Sequence, residues 1–255
     1  MVSNIGIRLD GYSCSFDPYH IIAKFVLMRD VLGRAIHDYH HQNTPGELWI
    51  HNRYGPKEPM PIEAYFRDED DMPDLEWHAM NECRGRVLDV GAGAGSHAIE
   101  LQNRGYDVTA LDISPLAVAV MQERGVKHAV AQDIYSYTGE KFDTILLLMN
   151  GIGLAGNLKQ LSTLLHHFKT LLAKGGQLMF DSSDITYLYE GKMPQTGYYG
   201  EIQYQYEYKG EMTDWFEWLY IDEAMLITIA NDVGWDVEVL YEDEFKQFLA
   251  RLTIK

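Results

Sequence analysis

The sequence predicts an α/β fold: a Rossmann-like, seven-stranded, mostly parallel sheet with helices on both faces and an antiparallel last strand. Short apolar runs typical of buried strands alternate with helix-periodic segments from Arg86 onward, and parallel strands need such helical crossovers. The first run, Val87–Val90, ends at a glycine-rich turn that passes directly into a helix. A helical lead-in before the sheet and a β-hairpin inserted late in the chain are predicted in addition.

Composition limits the partners that the protein can have. The 255 residues are 46% hydrophobic, enough for a sizeable core, and 38 acidic against 21 basic residues give a formal charge of −17. Because nucleic-acid affinity comes largely from Lys and Arg contacts with phosphates, we expect no nucleic-acid partner. Two cysteines, no signal-peptide pattern and no 20-residue apolar span favour a cytoplasmic protein without a disulfide scaffold or membrane partner. The oligomeric state is not predicted.

Two regions are predicted: residues 1–81 as an extension and helical lead-in or cap, and residues 82–255 as the main domain, with an insertion at 182–221. Residues 1–27 show no hydrophobic periodicity of a helix or a strand and are expected to be a poorly ordered extension. Met28 is an alternative start of the chain. Arg29–Tyr39 has the apolar spacing of an amphipathic helix, which we expect to cap the site.

The end of that helix carries three histidines, and the chain then reaches the main domain through a proline-rich stretch. The histidines lack a carboxylate partner nearby in the sequence, so we interpret them as a solvated helix end and predict no metal site. Four prolines in residues 44–61 predict an irregular linker with one short strand, Leu48–His51. Pro73 then begins a helix that runs to Asn81.

The glycine-rich turn after Val90 favours a cationic ligand group. It contains Asp89, Gly91, Gly93 and Gly95 in a D-x-G-x-G-x-G pattern, whereas the dinucleotide fingerprint G-x-G-x-x-G/A would need Gly or Ala at Ser96. A carboxylate at the strand end would repel a pyrophosphate and attract an ammonium group. The turn therefore predicts a nucleotide-type site that differs from a dinucleotide site.

Two further strands end in acidic residues. The strand Tyr106–Leu111 ends in Asp112, about 20 positions beyond the glycines, where nucleotide-binding sheets place the acid that holds the ribose. The next strand, Lys127–Gln132, ends in Asp133. Since the carboxyl ends of parallel strands share one edge of the sheet, we expect these acids to border one ligand site with Asp89.

The acidic, glycine-rich turn resembles the first motif of the class I S-adenosylmethionine-dependent methyltransferases, here of the small-molecule type. The resemblance implies that S-adenosylmethionine is the cofactor and that Asp112 binds its ribose, and it assigns Asp133 and Ile134 to the adenine. It also implies that Arg67 binds the cofactor carboxylate, although an ordinary salt bridge between Arg67 and the acids that follow it is equally compatible. The cofactor residues expected from the turn, the strand ends and this resemblance are Arg67, Asp89, Gly91, Ala92, Gly93, Asp112, Ile113, Asp133, Ile134 and Asn150.

The strand Phe142–Met149 leads to the position where such methyltransferases meet the reacting end of the cofactor. Only a turn is predicted before it, at residues 134–141. Family members that methylate amide or adenine nitrogen carry N-P-P-Y here, whereas this chain has N-G-I-G from Asn150 to Gly153. The cysteine nucleophile needed to methylate cytosine carbon is also missing after this strand. Both observations disfavour nucleobase acceptors.

The remaining elements follow in the order expected for this fold. Leu158–Leu172 is predicted as a helix closed by a glycine C-cap at residues 174–176, and Gln177–Phe180 as the fifth strand. A helix at residues 222–234 and a final strand pair, Asp236–Glu242 and Phe248–Ile254, complete the sheet.

The insertion is rich in aromatic residues. Strands at Ile202–Tyr208 and Asp214–Ile221, joined by the loop Lys209–Thr213, are predicted to form its hairpin. An aromatic wall suits an aromatic substrate or, through cation–π attraction, an amine. A hairpin that simply packs on the sheet is an equally good interpretation.

The predicted function is methyl transfer to a small-molecule acceptor by direct SN2 displacement, in which alignment and exclusion of water matter most. A general base is optional, and His97, Asp181 and Asp184 are the candidates by position. Two alternatives stay open: a protein that binds S-adenosylmethionine without catalysis, and, less well supported, an NAD(P)-dependent oxidoreductase.

Overall fold

The computed structural model describes residues 30–189 and 191–255. Its strands are β1 (Leu48–Asn52), β2 (Glu58–Met60), β3 (Arg86–Val90), β4 (Asp107–Asp112), β5 (Ala129–Ala131), β6 (Phe142–Leu147), β7 (Leu172–Ser183), β8 (Glu201–Tyr208), β9 (Glu211–Met212), β10 (Phe216–Leu219), β11 (Trp235–Glu242) and β12 (Gln247–Ile254). Its α-helices are α1 (Val31–His40), α2 (Asp74–Asn81), α3 (Ser96–Asn103), α4 (Pro115–Glu123), α5 (Leu158–Leu171) and α6 (Glu223–Asp232). Predictions for residues 1–27 and Met28 lie outside the described residues.

The main sheet confirms the predicted fold class. Its seven strands follow the order β11-β12-β7-β6-β3-β4-β5. Strands β3 to β7 are parallel, while the last strand, β12, lies antiparallel between β7 and β11. The order reverses direction between β3 and β6, which opens a crevice at the carboxyl ends of these strands.

Helices cover both faces of this sheet, so the central parallel strands β3 and β6 are buried on both sides. On one face, α5 and α6 pack against the sheet through residues such as Phe168 and Leu226. On the other face, α2, α3 and α4 contribute residues such as Met80, Leu101 and Met121. The central strands are therefore held rigidly, and their carboxyl ends form a fixed platform for a site.

A second, smaller sheet joins the lead-in to the insertion. Its order is β10-β8-β1-β2, with β9 also paired to β8. The antiparallel register of β1 and β8 pairs Leu48 with Tyr208 and Asn52 with Tyr204. The predicted hairpin insertion is therefore present, but it is completed by a strand that lies about 150 positions earlier in the chain. The proposed boundary between residues 1–81 and 82–255 stays a prediction.

Two local predictions are wrong. Residues 44–61 contain a β1–β2 hairpin where one short strand was expected, because pairing with β8 supplies partners that an isolated linker lacks. The predicted glycine C-cap at residues 174–176 is absent: α5 ends at Leu171, and β7 begins at Leu172. The strand ladder with β6 and β12 overrides the local helix-stop signal.

Two other expectations concern short segments and membrane crossing. Residues 134–141 contain only a 3-10 turn, Ile134–Ser136, as expected. Within the described ranges, no helix combines the length and the apolar character that a membrane span requires.

Candidate functional site

A cavity of about 630 Å³ lies at the carboxyl ends of β3, β4, β5 and β6. A site at this edge follows from the reversal of strand order, which leaves room between neighbouring crossovers. All ten residues predicted to bind the cofactor line this cavity: Arg67, Asp89, Gly91, Ala92, Gly93, Asp112, Ile113, Asp133, Ile134 and Asn150. Residues far apart in the chain thus converge on one volume, while the role of each stays a prediction.

The glycine turn is shaped so that its backbone borders the cavity. Gly91, Gly93 and Gly95 have φ values of 73°, 56° and 84°, in the left-handed region that favours glycine. A Cβ on Gly93 would lie 2.9 Å from the ring of Tyr65, and one on Gly95 would lie 2.9 Å from Met121. A Cβ on Gly91 would meet no protein atom within 4 Å. Gly91 therefore keeps open space on the cavity side.

Asp89 is a buried carboxylate without a full set of partners. Its side chain ends β3 and only 2% of the residue is exposed. Burial raises the pKa of Asp89 to about 6, against the opposing effects of nearby His97 and the backbone N–H of Ala98. The Oδ2 atom is buried and has no hydrogen-bond partner. A cationic group in the cavity would supply that partner.

Beside Asp89 lies a charged cluster centred on Glu76, a residue that the sequence reasoning missed. Arg67 Nη2 donates to Glu76 Oε1 at 2.5 Å, and His97 Nε2 lies 2.8 Å from Glu76 Oε2. Despite its burial, the pKa of Glu76 is lowered by His97 and Arg67, and that of His97 is raised by Glu76 and Asp89. Arg67 thus makes its salt bridge with a buried helix acid rather than with the acidic turn that follows it. No pattern in the sequence distinguishes Glu76 from the other acids nearby.

Asp112 at the end of β4 is oriented by two backbone donors. Gly93 N–H donates to Oδ2 at 2.9 Å and Ser114 N–H donates to Oδ1 at 2.8 Å. Burial raises the pKa of Asp112 to about 6, although these hydrogen bonds favour the ionised form. Each oxygen keeps a further lone pair, so the carboxylate can accept hydrogen bonds from a ligand diol.

The residues after Asp112 and Asp133 provide an apolar pair for a flat ligand group. Ile113 is 70% exposed although it is a large apolar side chain, whereas Ile134 is buried. Asp133 accepts a hydrogen bond from Tyr135 N–H at 3.0 Å, which begins the 3-10 turn that places Ile134. The exposed face of Ile113 is therefore available to a ligand in the cavity.

The turn after β6 is held by Asp181, one of the candidate bases. Met149 and Asn150 have φ values of 59° and 54°, a strained pair for residues with side chains. Asn150 N–H donates to both oxygens of Asp181 at 2.9 Å, and Gln247 donates to the same carboxylate at 3.0 Å. Asp181 is 1% exposed and does not line the cavity. Its observed contacts stabilise the turn that presents Asn150.

The other two candidate bases lie in different places. Asp184 lies outside the cavity lining and accepts hydrogen bonds from Thr186 N–H and the hydroxyl of Tyr199. His97 does line the cavity, where its Nε2 atom faces Glu76. Of the three candidates, only His97 is therefore at the surface that a ligand would contact.

The insertion supplies the far wall of the cavity. We call the lining residues Tyr204, Tyr206, Phe216, Trp218 and Tyr220 the aromatic wall. Neighbouring rings pack together, with 5.0 Å between the ring centroids of Tyr206 and Phe216 and 6.3 Å between those of Phe216 and Trp218. Because β8 pairs with β1, two residues of the lead-in, Ile50 and Met60, also line the cavity beside the aromatic wall.

Helix α1, which its apolar spacing predicts, contributes its first turn to one side of the cavity, while its role as a cap stays a prediction. Its N-cap residue Asp30 accepts from Gly33 N–H at 3.0 Å and from the hydroxyl of Ser114 at 2.6 Å. Asp30, Val31 and Leu32 line the cavity. The first turn of α1 is therefore tied to the loop that follows Asp112.

Three lining residues each have a buried polar atom without a hydrogen-bond partner. These atoms are Asp89 Oδ2, Asn150 Oδ1 and Arg67 Nε. Two are acceptors and one is a cationic donor, and buried polar groups are normally paired. A ligand that carries both an ammonium and a carboxylate group would satisfy this set, and the residues thus fit the amino-acid end of S-adenosylmethionine.

Comparisons with known proteins agree with this fit. A family profile described as "Methyltransferase domain" matches residues 62–238. The chain is 39% identical to a SAM-dependent methyltransferase from Bacteroides fragilis, solved with S-adenosyl-L-homocysteine, with a TM-score of 0.83 over 89% of this chain and 95% of that one. A methyltransferase from Clostridium acetobutylicum shares the fold at 15% identity and a TM-score of 0.55, covering 72% and 93% of the two chains. The DhpI–SAM–HEP complex does so at 18% identity and a TM-score of 0.57, covering 88% and 98%.

Proposed function

Since this chain belongs to the class I S-adenosylmethionine-dependent methyltransferases, we propose that it transfers the methyl group of S-adenosylmethionine to a small-molecule acceptor by direct SN2 displacement. The observation that carries this proposal is the cavity, which is lined both by unpartnered atoms of Asp89, Arg67 and Asn150 and by an aromatic wall. The end of the cavity with these unpartnered atoms suits the methyl donor, and the end beside the aromatic wall is left for an acceptor.

Each cofactor residue has a role suggested by its contacts. Asp89 binds the ammonium group and Arg67 the carboxylate, while Glu76 holds Arg67 in position. Asp112 accepts from the ribose hydroxyls through the lone pairs that Gly93 and Ser114 leave available. The adenine lies between Ile113 and Ile134, with Asp133 at its edge.

The sulfonium group of the cofactor supplies a methyl group that is already activated by positive charge. The protein then mainly aligns the acceptor and excludes water. Helix α1 and the smaller sheet perform this task by covering the cavity on two sides. The aromatic wall adjoins the turn that holds Asn150, since Asn150 Nδ2 donates to the carbonyl of Leu219, between Trp218 and Tyr220. The acceptor is therefore held between the wall and the turn rather than laid along an open groove.

A small acceptor is supported by this enclosure and by charge. A polynucleotide needs an open, basic surface, whereas the chain carries a formal charge of −17. We propose that the enzyme acts on a metabolite in the cytoplasm. Where the acceptor requires a general base, His97 is the candidate that lines the cavity.

Two alternatives make different predictions. A non-catalytic protein would bind S-adenosylmethionine without turnover, and an NAD(P)-dependent oxidoreductase would bind NADH. The second is disfavoured because the buried Asp89 faces the position that a pyrophosphate would take.

The test is calorimetric titration with S-adenosylmethionine, S-adenosylhomocysteine and NADH, followed by a methyl-transfer screen against metabolites. We expect both sulfur ligands to bind and to raise the melting temperature, because a ligand of the native state stabilises it by mass action. Binding of NADH alone would contradict the proposal. If the cofactor binds tightly but methyl is transferred to a protein or RNA and to no metabolite, the proposal of a small-molecule acceptor is contradicted.

A further inference from the structure

Within residues 30–189 and 191–255, the side chains that line the acceptor end of the cavity are uncharged. The smaller sheet and its loops contribute Ile50, Met60 and Thr213 to the lining, together with the aromatic wall, and none of these side chains is acidic or basic at neutral pH. The two basic residues in the lining are Arg67 and His97, and both are bonded to Glu76. A carboxylate or phosphate on the acceptor would therefore find no counter-ion on this wall.

The aromatic wall also lacks a group that could remove a proton. Burial, followed by the effects of neighbouring tyrosines, raises the pKa of Tyr204 and Tyr206 well above the ordinary range. Their hydroxyls are therefore protonated at neutral pH. An alcohol or phenol acceptor would need a base to take its hydroxyl proton, so the wall favours an acceptor whose nucleophilic atom attacks without first losing a proton in the cavity.

Trp218 lies against the segment that follows the turn after β6. A Cβ built on Gly153 would lie 2.1 Å from Trp218 Nε1, so the indole occupies the space that a side chain at position 153 would need. Gly151, two residues before Gly153, lines the cavity together with Trp218 and Asn150. The indole of Trp218 thus borders the end of the cavity where the Asn150 turn lies.

On this basis, and resting on the proposed methyl-transfer function, we propose that the acceptor is an amine whose nitrogen is methylated against the aromatic wall. The nitrogen lone pair forms the new N–C bond while the S–C bond breaks and its electron pair goes to sulfur. The amine reacts as the free base, having given its proton to solvent before the transfer. Positive charge then passes from sulfur to nitrogen, and the transfer itself needs no base in the cavity. Aromatic faces attract a cation, so they stabilise the nitrogen most as its charge develops.

The test measures charge preference directly, in the full chain saturated with S-adenosylhomocysteine. Three probes of one shape are titrated by calorimetry: choline, its neutral carbon isostere tert-butylethanol, and the anion of tert-butylacetic acid. Choline stands for a methylated ammonium product. We expect choline to bind at least about tenfold more tightly than the neutral isostere, as a desolvated cation–π contact implies, and the anion to bind most weakly.

Variants at Trp218 show whether the preference for choline depends on an aromatic ring or only on the shape of the side chain. Trp218→Leu should reduce the preference for choline over its isostere to less than about threefold, whereas Trp218→Phe, which keeps an aromatic face, should retain most of it. Trp215→Leu is the matched control, because Trp215 lies three positions away in the same hairpin but outside the cavity lining. Binding of S-adenosylhomocysteine, which contacts other residues, should change by less than threefold in all three variants.

The outcomes distinguish the inference from the function on which it rests. Failure of S-adenosylhomocysteine to bind would overturn the proposed function. If S-adenosylhomocysteine binds normally, three results would overturn only the amine assignment. These are equal affinity for the three probes, preference for the neutral probe or the anion, and no binding of choline. If Trp218→Leu does not fold, Tyr206→Leu compared with Tyr206→Phe makes the same comparison at a second ring of the wall.

Discussion

The backbone N–H of Asn150 donates to both carboxylate oxygens of Asp181, at 2.9 Å each. This contact joins the end of β7 to a turn in which Met149 and Asn150 both have positive φ. Two such residues with side chains cost about 1 to 2 kcal/mol each, so the turn needs a strong partner to hold it. The relationship gives Asp181 a structural contact, while the general-base role suggested by its position in the sequence stays a prediction.

We predict that Asp181→Ala lowers the free energy of unfolding by about 2 to 4 kcal/mol, because it leaves the buried Asn150 N–H without an acceptor and releases the strained turn. Asp181→Asn keeps one acceptor oxygen and should cost less than half as much. Urea unfolding and calorimetric binding of S-adenosylhomocysteine measure the two effects. If Asp181→Asn instead kept stability and cofactor affinity but abolished methyl transfer, Asp181 would be a base after all.

Asp112→Ala should weaken S-adenosylhomocysteine binding at least tenfold while the fold survives. The variant removes hydrogen bonds from the ribose to a carboxylate, worth roughly 1.5 to 3 kcal/mol each. Asp107→Ala is the matched control, since Asp107 begins the same strand and its carboxylate contacts Arg86 at the opposite edge of the sheet. Equal affinities in the two variants would show that Asp112 does not contact the ligand.

Gly91→Ala and Gly105→Ala form a second matched pair. Both glycines have left-handed φ values, 73° and 90°, and a Cβ on either would meet no protein atom within 4 Å. Both variants should therefore lose a similar free energy of unfolding, about 1 to 2 kcal/mol. Only Gly91 lines the cavity, so only Gly91→Ala should weaken S-adenosylhomocysteine binding, by roughly tenfold or about 1.4 kcal/mol. A similar loss of affinity in Gly105→Ala would point to a general effect of strain.

Asp89→Asn should make the ligand-free protein more stable at pH 7 and weaken cofactor binding. Burial raises the pKa of Asp89 to about 6, whereas an unfolded aspartate titrates near 3.9. The native state therefore holds this proton more tightly, so this group lowers the free energy of unfolding as pH rises from about 4 to 6. Replacing Asp89 by Asn should raise the free energy of unfolding by about 1 to 3 kcal/mol at pH 7 and should leave it unchanged below pH ~4.

Urea unfolding at pH 7 and pH 4 and calorimetry at pH 7 check this prediction. A loss of stability in Asp89→Asn at pH 7 would show that the carboxylate has a partner in the ligand-free protein. Unchanged affinity for S-adenosylmethionine would show that the ammonium group is bound elsewhere.

Local patterns determined the main sheet and most of the cofactor end of the site. Strand and helix periodicities extend over a few residues, and a glycine turn needs only its own backbone conformation, so both can be recognised without knowing any long-range contact. The three acids Asp89, Asp112 and Asp133 follow from the same logic, because the ends of consecutive parallel strands meet at one edge. All three line the cavity.

Contacts between distant segments were decided only by the tertiary structure. The pairing of β1 with β8 converts a proline-rich linker into part of the cavity wall, and the position of Trp218 over Gly153 leaves no room for a side chain at position 153. The Glu76 cluster likewise joins three separate elements through charge. Such contacts depend on how the packed elements are arranged, and hydrophobic periodicity within a single segment does not predict that arrangement. The sequence by itself thus determined the fold class and the kind of cofactor, while the burial of Asp89, the partner of Arg67 and the uncharged acceptor wall came from packing.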